Sequence, residues 1–113
     1  MNKSIVSILL LSFLISVASV LAFENTQEKT LVIFSAKWCK FCQIAKQDME
    51  EDIQLSEIVK SYTIVDVDFD VDKDLVSGYN IKSIPAFVTF QNGKETGRLV
   101  GYKSKKHLLN FLK

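Results

Sequence analysis

The sequence predicts an α/β domain in which a four-stranded mixed sheet is flanked by helices, in the order β-α-β-α-β-β-α. Three observations carry that prediction. A short, evenly apolar run at 30–35 gives way to helical periodicity, a second stretch at 62–68 has a period of two, and an Asn92-Gly93 dipeptide separates two further strand-like runs.

Thr30 to Ser35 is rich in Val, Ile and Phe, too short for a buried helix and apolar on both faces, so it reads as a central strand. From Cys39 the residues Cys42, Ala45, Met49 and Ile53 recur at three- and four-residue spacing, opposite Lys40, Gln43, Lys46, Gln47 and Glu50, which makes an amphipathic helix. Ser56 is placed to cap a second short segment, Glu57 to Lys60, the alternative being that the first helix bends and continues there. Tyr62 to Asp68 alternates Ile64, Asp66 and Asp68 with Val65 and Val67, a strand with one apolar face. Asp72 caps a brief helix through Leu75 and Val76 that ends near Gly78. After an irregular stretch and Pro85, Ala86–Gln91 and Glu95–Val100 form a hairpin, because Asn-Gly tolerates two consecutive positive φ angles. Ser104 then caps a last helix whose Leu108, Phe111 and Leu112 share a face, with Lys105 and Lys106 toward solvent. This order makes the first two strands parallel and the hairpin antiparallel.

The N-terminus reads differently. Lys3 precedes an apolar run from Ile5 to Val20, and a bilayer needs about 20 such residues to be crossed. Val20-Leu21-Ala22 puts suitable side chains at the −3 and −1 positions of a cut, so residues 1–22 read as a secretory signal peptide, 23–29 as a linker and 30–113 as the folded domain. An uncleaved anchor over residues 4–23 is the competing reading. Both place the domain in an oxidising compartment, periplasmic or secreted. The ending Asn110-Phe111-Leu112-Lys113 is not a Lys-Asp-Glu-Leu type retention signal, which favours a periplasm over an endoplasmic reticulum. A formal charge of +1 with interspersed signs offers no face for nucleic acid.

The chemistry lies in two cysteines, Cys39 and Cys42, spaced three apart after a strand and at the start of a helix. Free N–H groups and the positive end of the helix dipole face that position, so a Cys39 thiolate is stabilised, with Lys37 and Lys40 adding to the effect. Cys42, one turn later, is placed to resolve a mixed disulfide. A static disulfide and half of a zinc site are the other uses of such a pair. Zinc would need two more ligands, and His107 is the only histidine, so no metal is expected. A copper-carrying loop favours Met-x-Cys-x-x-Cys, whereas Trp38 precedes the first cysteine here. Phe41 reads as an exposed contact residue, forced outward by the tight motif.

Phe34-Ser35-Ala36-Lys37-Trp38-Cys39-Lys40-Phe41-Cys42, followed by Ser83-Ile84-Pro85-Ala86-Phe87, Asn92-Gly93 and Gly101-Tyr102, resembles the thioredoxin superfamily over nearly everything after residue 30. Gln47–Glu50 and Leu99–Tyr102 are more similar to small secreted members and to the C-terminal domain of DsbD-type reductases. The resemblance implies a minimal thioredoxin-like fold and thiol-disulfide exchange with protein substrates. Cys39 would be the nucleophile, Cys42 the resolving thiol and Trp38 a shield at the rim. Lys40 and Phe41 would meet the substrate, and Ile84 with a cis Pro85 would complete the site. An ordinary turn proline is the alternative at Pro85. No organic cofactor is implied. The expected partners are protein disulfides and a redox protein, with a membrane electron donor as one form of it, acting on a monomer.

Three departures from the family pattern affect mechanism. The strand and helix that usually come first are missing, Lys40-Phe41 replaces Gly-Pro, and Ile33 stands where a buried aspartate often lies beneath the cysteines. Asp66 on the neighbouring strand is the candidate base in its place, as a buried carboxylate with raised pKa. The alternative is that Asp66, Asp68, Asp70 and Asp72 form a solvated acidic strand end. The absence of any inserted helical lid favours a reductase over a disulfide donor or isomerase. A non-catalytic interaction module is the reading that two intact cysteines argue against.

Overall fold

A computed structural model describes residues 27–113. The leader read at residues 1–22, its anchor alternative at 4–23 and most of the linker lie outside the described residues. The elements are β1 (Lys29–Ser35), α1 (Lys40–Glu51), α2 (Ile53–Val59), β2 (Thr63–Asp68), α3 (Lys73–Gly78), β3 (Ala86–Gln91), β4 (Lys94–Val100) and α4 (Lys105–Leu112). They form one sheet in the order β2-β1-β3-β4, with β1 parallel to β2 and antiparallel to β3, and β3 antiparallel to β4. This is the expected four-stranded mixed sheet, with β1 inside it.

Residues Leu31 to Ala36 are all buried, because both faces of β1 are covered. Side chains alternate along a strand, so the two faces feed separate cores. Leu31 and Ile33 join Phe87 of β3 under Ala45 and Met49 of α1, Leu55 of α2, and Leu108, Leu109 and Leu112 of α4. Val32 and Phe34 face the other way, against Val67, Ile81, Ala86 and Val88, with Val76 and Tyr79 packed over them. Emptying a buried aromatic position such as Phe34 typically costs about 3–5 kcal/mol.

The hairpin turns on Asn92 and Gly93, whose φ angles are +51° and +81°, the two positive values expected of this dipeptide. The Asn92 side chain also accepts a bond from the Glu28 N–H at 3.2 Å, tying the turn to the entry of β1. Gly97 is where α4 comes close to the sheet, since a Cβ there would sit 3.1 Å from Phe111 Cε1 and 3.2 Å from Thr89 Oγ1.

Two local expectations are corrected. The first helix ends at Glu51, and the next is capped by Asp52, whose Oδ2 accepts from the Leu55 N–H at 3.0 Å, so Ser56 is not the cap. Ile53, read as part of the apolar stripe, is the first residue of α2 and 80% exposed. The second correction concerns β2. Of its apolar pair Val65 and Val67 only Val67 is buried, because β2 is an edge strand.

Two tyrosines fasten the helical layer. Tyr62 Oη donates to the Leu112 carbonyl at 2.8 Å, and Tyr102 Oη to Asp48 Oδ2 at 2.6 Å, joining the segment before α4 to α1. Burial, then the Asp48 carboxylate and to a lesser degree Asp52, hold the Tyr102 phenol above the ordinary tyrosine value. Tyr102→Phe is expected to lower unfolding free energy by about 1.5 kcal/mol, read as a reduced urea midpoint at unchanged slope. Since the folded phenol keeps its proton longer than the unfolded one, this contribution is complete below about pH 10 and lost as pH rises beyond it. The difference between wild type and variant should therefore be flat up to that pH and shrink above it.

Candidate functional site

The C-terminal end of β1 delivers the chain into a tight turn, in which the Cys39 N–H donates to the Ala36 carbonyl at 3.1 Å. Gln43 reaches back from α1 to the same carbonyl, its Nε2 donating at 3.0 Å. Held this way, Cys39 becomes the N-cap of α1, and its Sγ accepts the backbone N–H of Cys42 at 3.3 Å. An N-cap side chain ordinarily supplies an oxygen to that donor, and here a sulfur does. The arrangement favours negative charge on Cys39, because an amide dipole and the helix N-terminus both point at it.

Cys39 and Cys42 are joined as a disulfide with Cα atoms 5.2 Å apart. They are the buried core of a small cluster with Ala36, flanked by Phe69 and Ile84. Cys39 is 6% exposed and Cys42 1%, so an incoming sulfur meets Cys39 first. Pro85 is buried, Ile84 half-buried, and the bond between them is cis. The Gly101 N–H donates to the Pro85 carbonyl at 2.7 Å, which fixes the start of the loop after β4 beside this proline.

Trp38 and Phe41 project from the same turn, 68% and 60% exposed. Lys40, the first residue of α1, is exposed between the cysteines. Trp38 is not loose, since its Nε1 donates to Asp70 Oδ2 at 2.7 Å. Nothing in the local sequence around Asp70 marks it as a partner of Trp38. The signal that could have found it is topological. Parallel β1 and β2 end side by side, so the loops after them, carrying Trp38 and Asp70, must be neighbours.

Asp66 does not have the buried position expected of a base. It pairs in register with Ile33, but β2 is the sheet edge, and its side chain is 60% exposed with Oδ1 3.1 Å from Lys46 Nζ. A solvated carboxylate on the sheet edge, paired with a lysine, is not placed against the cysteines as a base would have to be. Asp66→Asn is therefore expected to leave the rate and pH profile of disulfide exchange within about twofold of wild type, the effect of a surface ion pair being small. A selective loss of the step that Cys42 carries out would restore the base role.

With the geometry in place, comparison with known proteins gives a consistent result. The family model described as Thioredoxin matches residues 18–113. A thioredoxin of Mycoplasmoides gallisepticum is 36% identical over 89 residues, which span 79% of this chain and 86% of that protein. The bifunctional thioredoxin reductase/thioredoxin of Mycobacterium leprae is 32% identical over 88 residues, 78% of this chain and 19% of that larger protein. Among solved structures, Fasciola hepatica thioredoxin superposes with a TM-score of 0.63 at 26% identity, covering 83% of this chain and 88% of its own.

Proposed function

The chain belongs to the thioredoxin family and is a thiol-disulfide oxidoreductase, and from that premise we propose that it reduces protein disulfides outside the cytosol. The observation that carries the chemistry is the Cys39 sulfur capping α1, with Cys42 within bonding distance one turn on. In the reduced protein the Cys39 thiolate attacks one sulfur of a substrate disulfide. A Cys39–substrate bond forms, the substrate S–S bond breaks, and the displaced sulfur takes a proton from solvent. Cys42 then attacks Cys39 Sγ, forming the bond seen in the structure and releasing the second substrate sulfur, which takes up the Cys42 proton. Two electrons pass to the substrate, and a redox partner must return them to the pair. The Mycobacterium leprae relative, which joins a reductase to a thioredoxin, supports such a partner.

Lys3 and the apolar run that follows support export, either released after Ala22 or anchored by residues 4–23 with a membrane protein as electron donor. The reductase direction rests on the small size of the domain, which among its described residues carries no inserted helical lid for gripping unfolded chains. It acts as a monomer in this reading.

Direction is tested by equilibrating the full chain, in a neutral detergent, against a glutathione series with Trp38 fluorescence as readout. A potential near the thioredoxin value of about −270 mV is expected, and one near about −120 mV would reverse the direction. Cys42→Ser should accumulate mixed disulfides with client proteins through Cys39, while Cys39→Ser should abolish exchange. Clients captured equally by Cys39→Ser would overturn the assignment of nucleophile.

A further inference from the structure

The rim of the redox pair is charged unevenly. Lys37 lies two residues before Cys39, Lys40 directly after it, and Lys82 two residues before Ile84, which packs against the cysteine cluster. All three are exposed, and among the described residues none is within ion-pair distance of a carboxylate. The segment that runs from the end of β2 to α3 is acidic, and its Asp68, Asp70 and Asp72 are engaged in hydrogen bonds of their own, Asp70 with Trp38 at the rim. Asp68 Oδ1 accepts from the Asp70 and Val71 N–H groups at 2.9 and 3.2 Å, Asp72 Oδ2 from the Asp68 N–H at 3.0 Å, and Asp70 Oδ2 from Trp38. Exposed Trp38 and Phe41 supply apolar contact beside the redox pair.

We propose that this rim selects clients whose reactive cysteine is flanked by acidic residues, with Lys37, Lys40 and Lys82 as the specificity-determining groups. The proposal rests on the oxidoreductase reading and adds a substrate class to it. Three like charges that form no ion pair among the described residues attract an acidic segment during encounter and repel a basic one. An extended client docks with its acidic flank on these lysines and its apolar residues on Trp38 and Phe41. Lysines suit this task because solvent-exposed ammonium groups steer an approaching chain without demanding one bonding geometry.

The test uses two peptides that share one disulfide and its apolar neighbours and differ only in carrying glutamates or lysines beside the cysteine. Each is reduced by full-length protein, wild type or Lys82→Glu, and thiol release is timed. Comparing the two proteins on the same peptide cancels the peptide's own reactivity. At low ionic strength the variant is expected to be several-fold slower with the glutamate peptide and several-fold faster with the lysine peptide. Both differences should fade toward 1 M salt, where the screening length is about 3 Å. A change of the same sign on both peptides, or none on either, overturns the proposal and leaves the oxidoreductase reading standing. Failure of wild type to reduce either peptide would remove that reading as well.

Discussion

Burial of β1 on both faces is the constraint on which the rest of the structure depends. A strand packed only on one side could deliver its end anywhere along a sheet edge. Here β1 is paired on both sides and covered above and below, so Ala36 is fixed and with it the turn that presents Cys39. The two faces divide the work. Leu31 and Ile33 hold the layer made by α1, α2 and α4, while Val32 and Phe34 hold the shorter cover around α3. The cysteine cluster closes the gap between these cores at the C-terminal end of the strand, where parallel strands commonly present their reactive groups.

From that anchored end, ordinary helix chemistry supplies reactivity. A helix needs partners for its first N–H groups, and Cys39 offers a sulfur to one of them. The same contact that finishes the helix lowers the cost of charge on Cys39, so local stability and electrostatics come from one interaction. Gln43 and Asp70 contribute differently. Gln43 pins the carbonyl that closes the turn, and Asp70 holds the exposed indole of Trp38.

Ile33 and Asp66 pair in register but meet different surroundings. Ile33 is buried in the core with Ala45 and Met49, whereas an edge strand leaves the Asp66 carboxylate in water beside Lys46. Cys42 is almost fully buried, in a cluster with Ala36 and Cys39 flanked by Phe69 and Ile84.

By itself the sequence determined the elements and the chemistry that is local. Periodicity gave the strands and the long helix, Asn92-Gly93 gave the hairpin, and the Cys-x-x-Cys spacing on a strand-helix junction gave the redox pair, since each depends on neighbours a few residues apart. It misplaced the cap of α2, because Asp52 and Ser56 are both competent caps and only the bend between helices chooses. Tertiary structure alone decided that β2 is an edge, which exposes Val65 and Asp66, and that the loops after β1 and β2 meet, which gives Trp38 its partner Asp70. Those outcomes depend on strand order, and strand order follows from how whole layers pack.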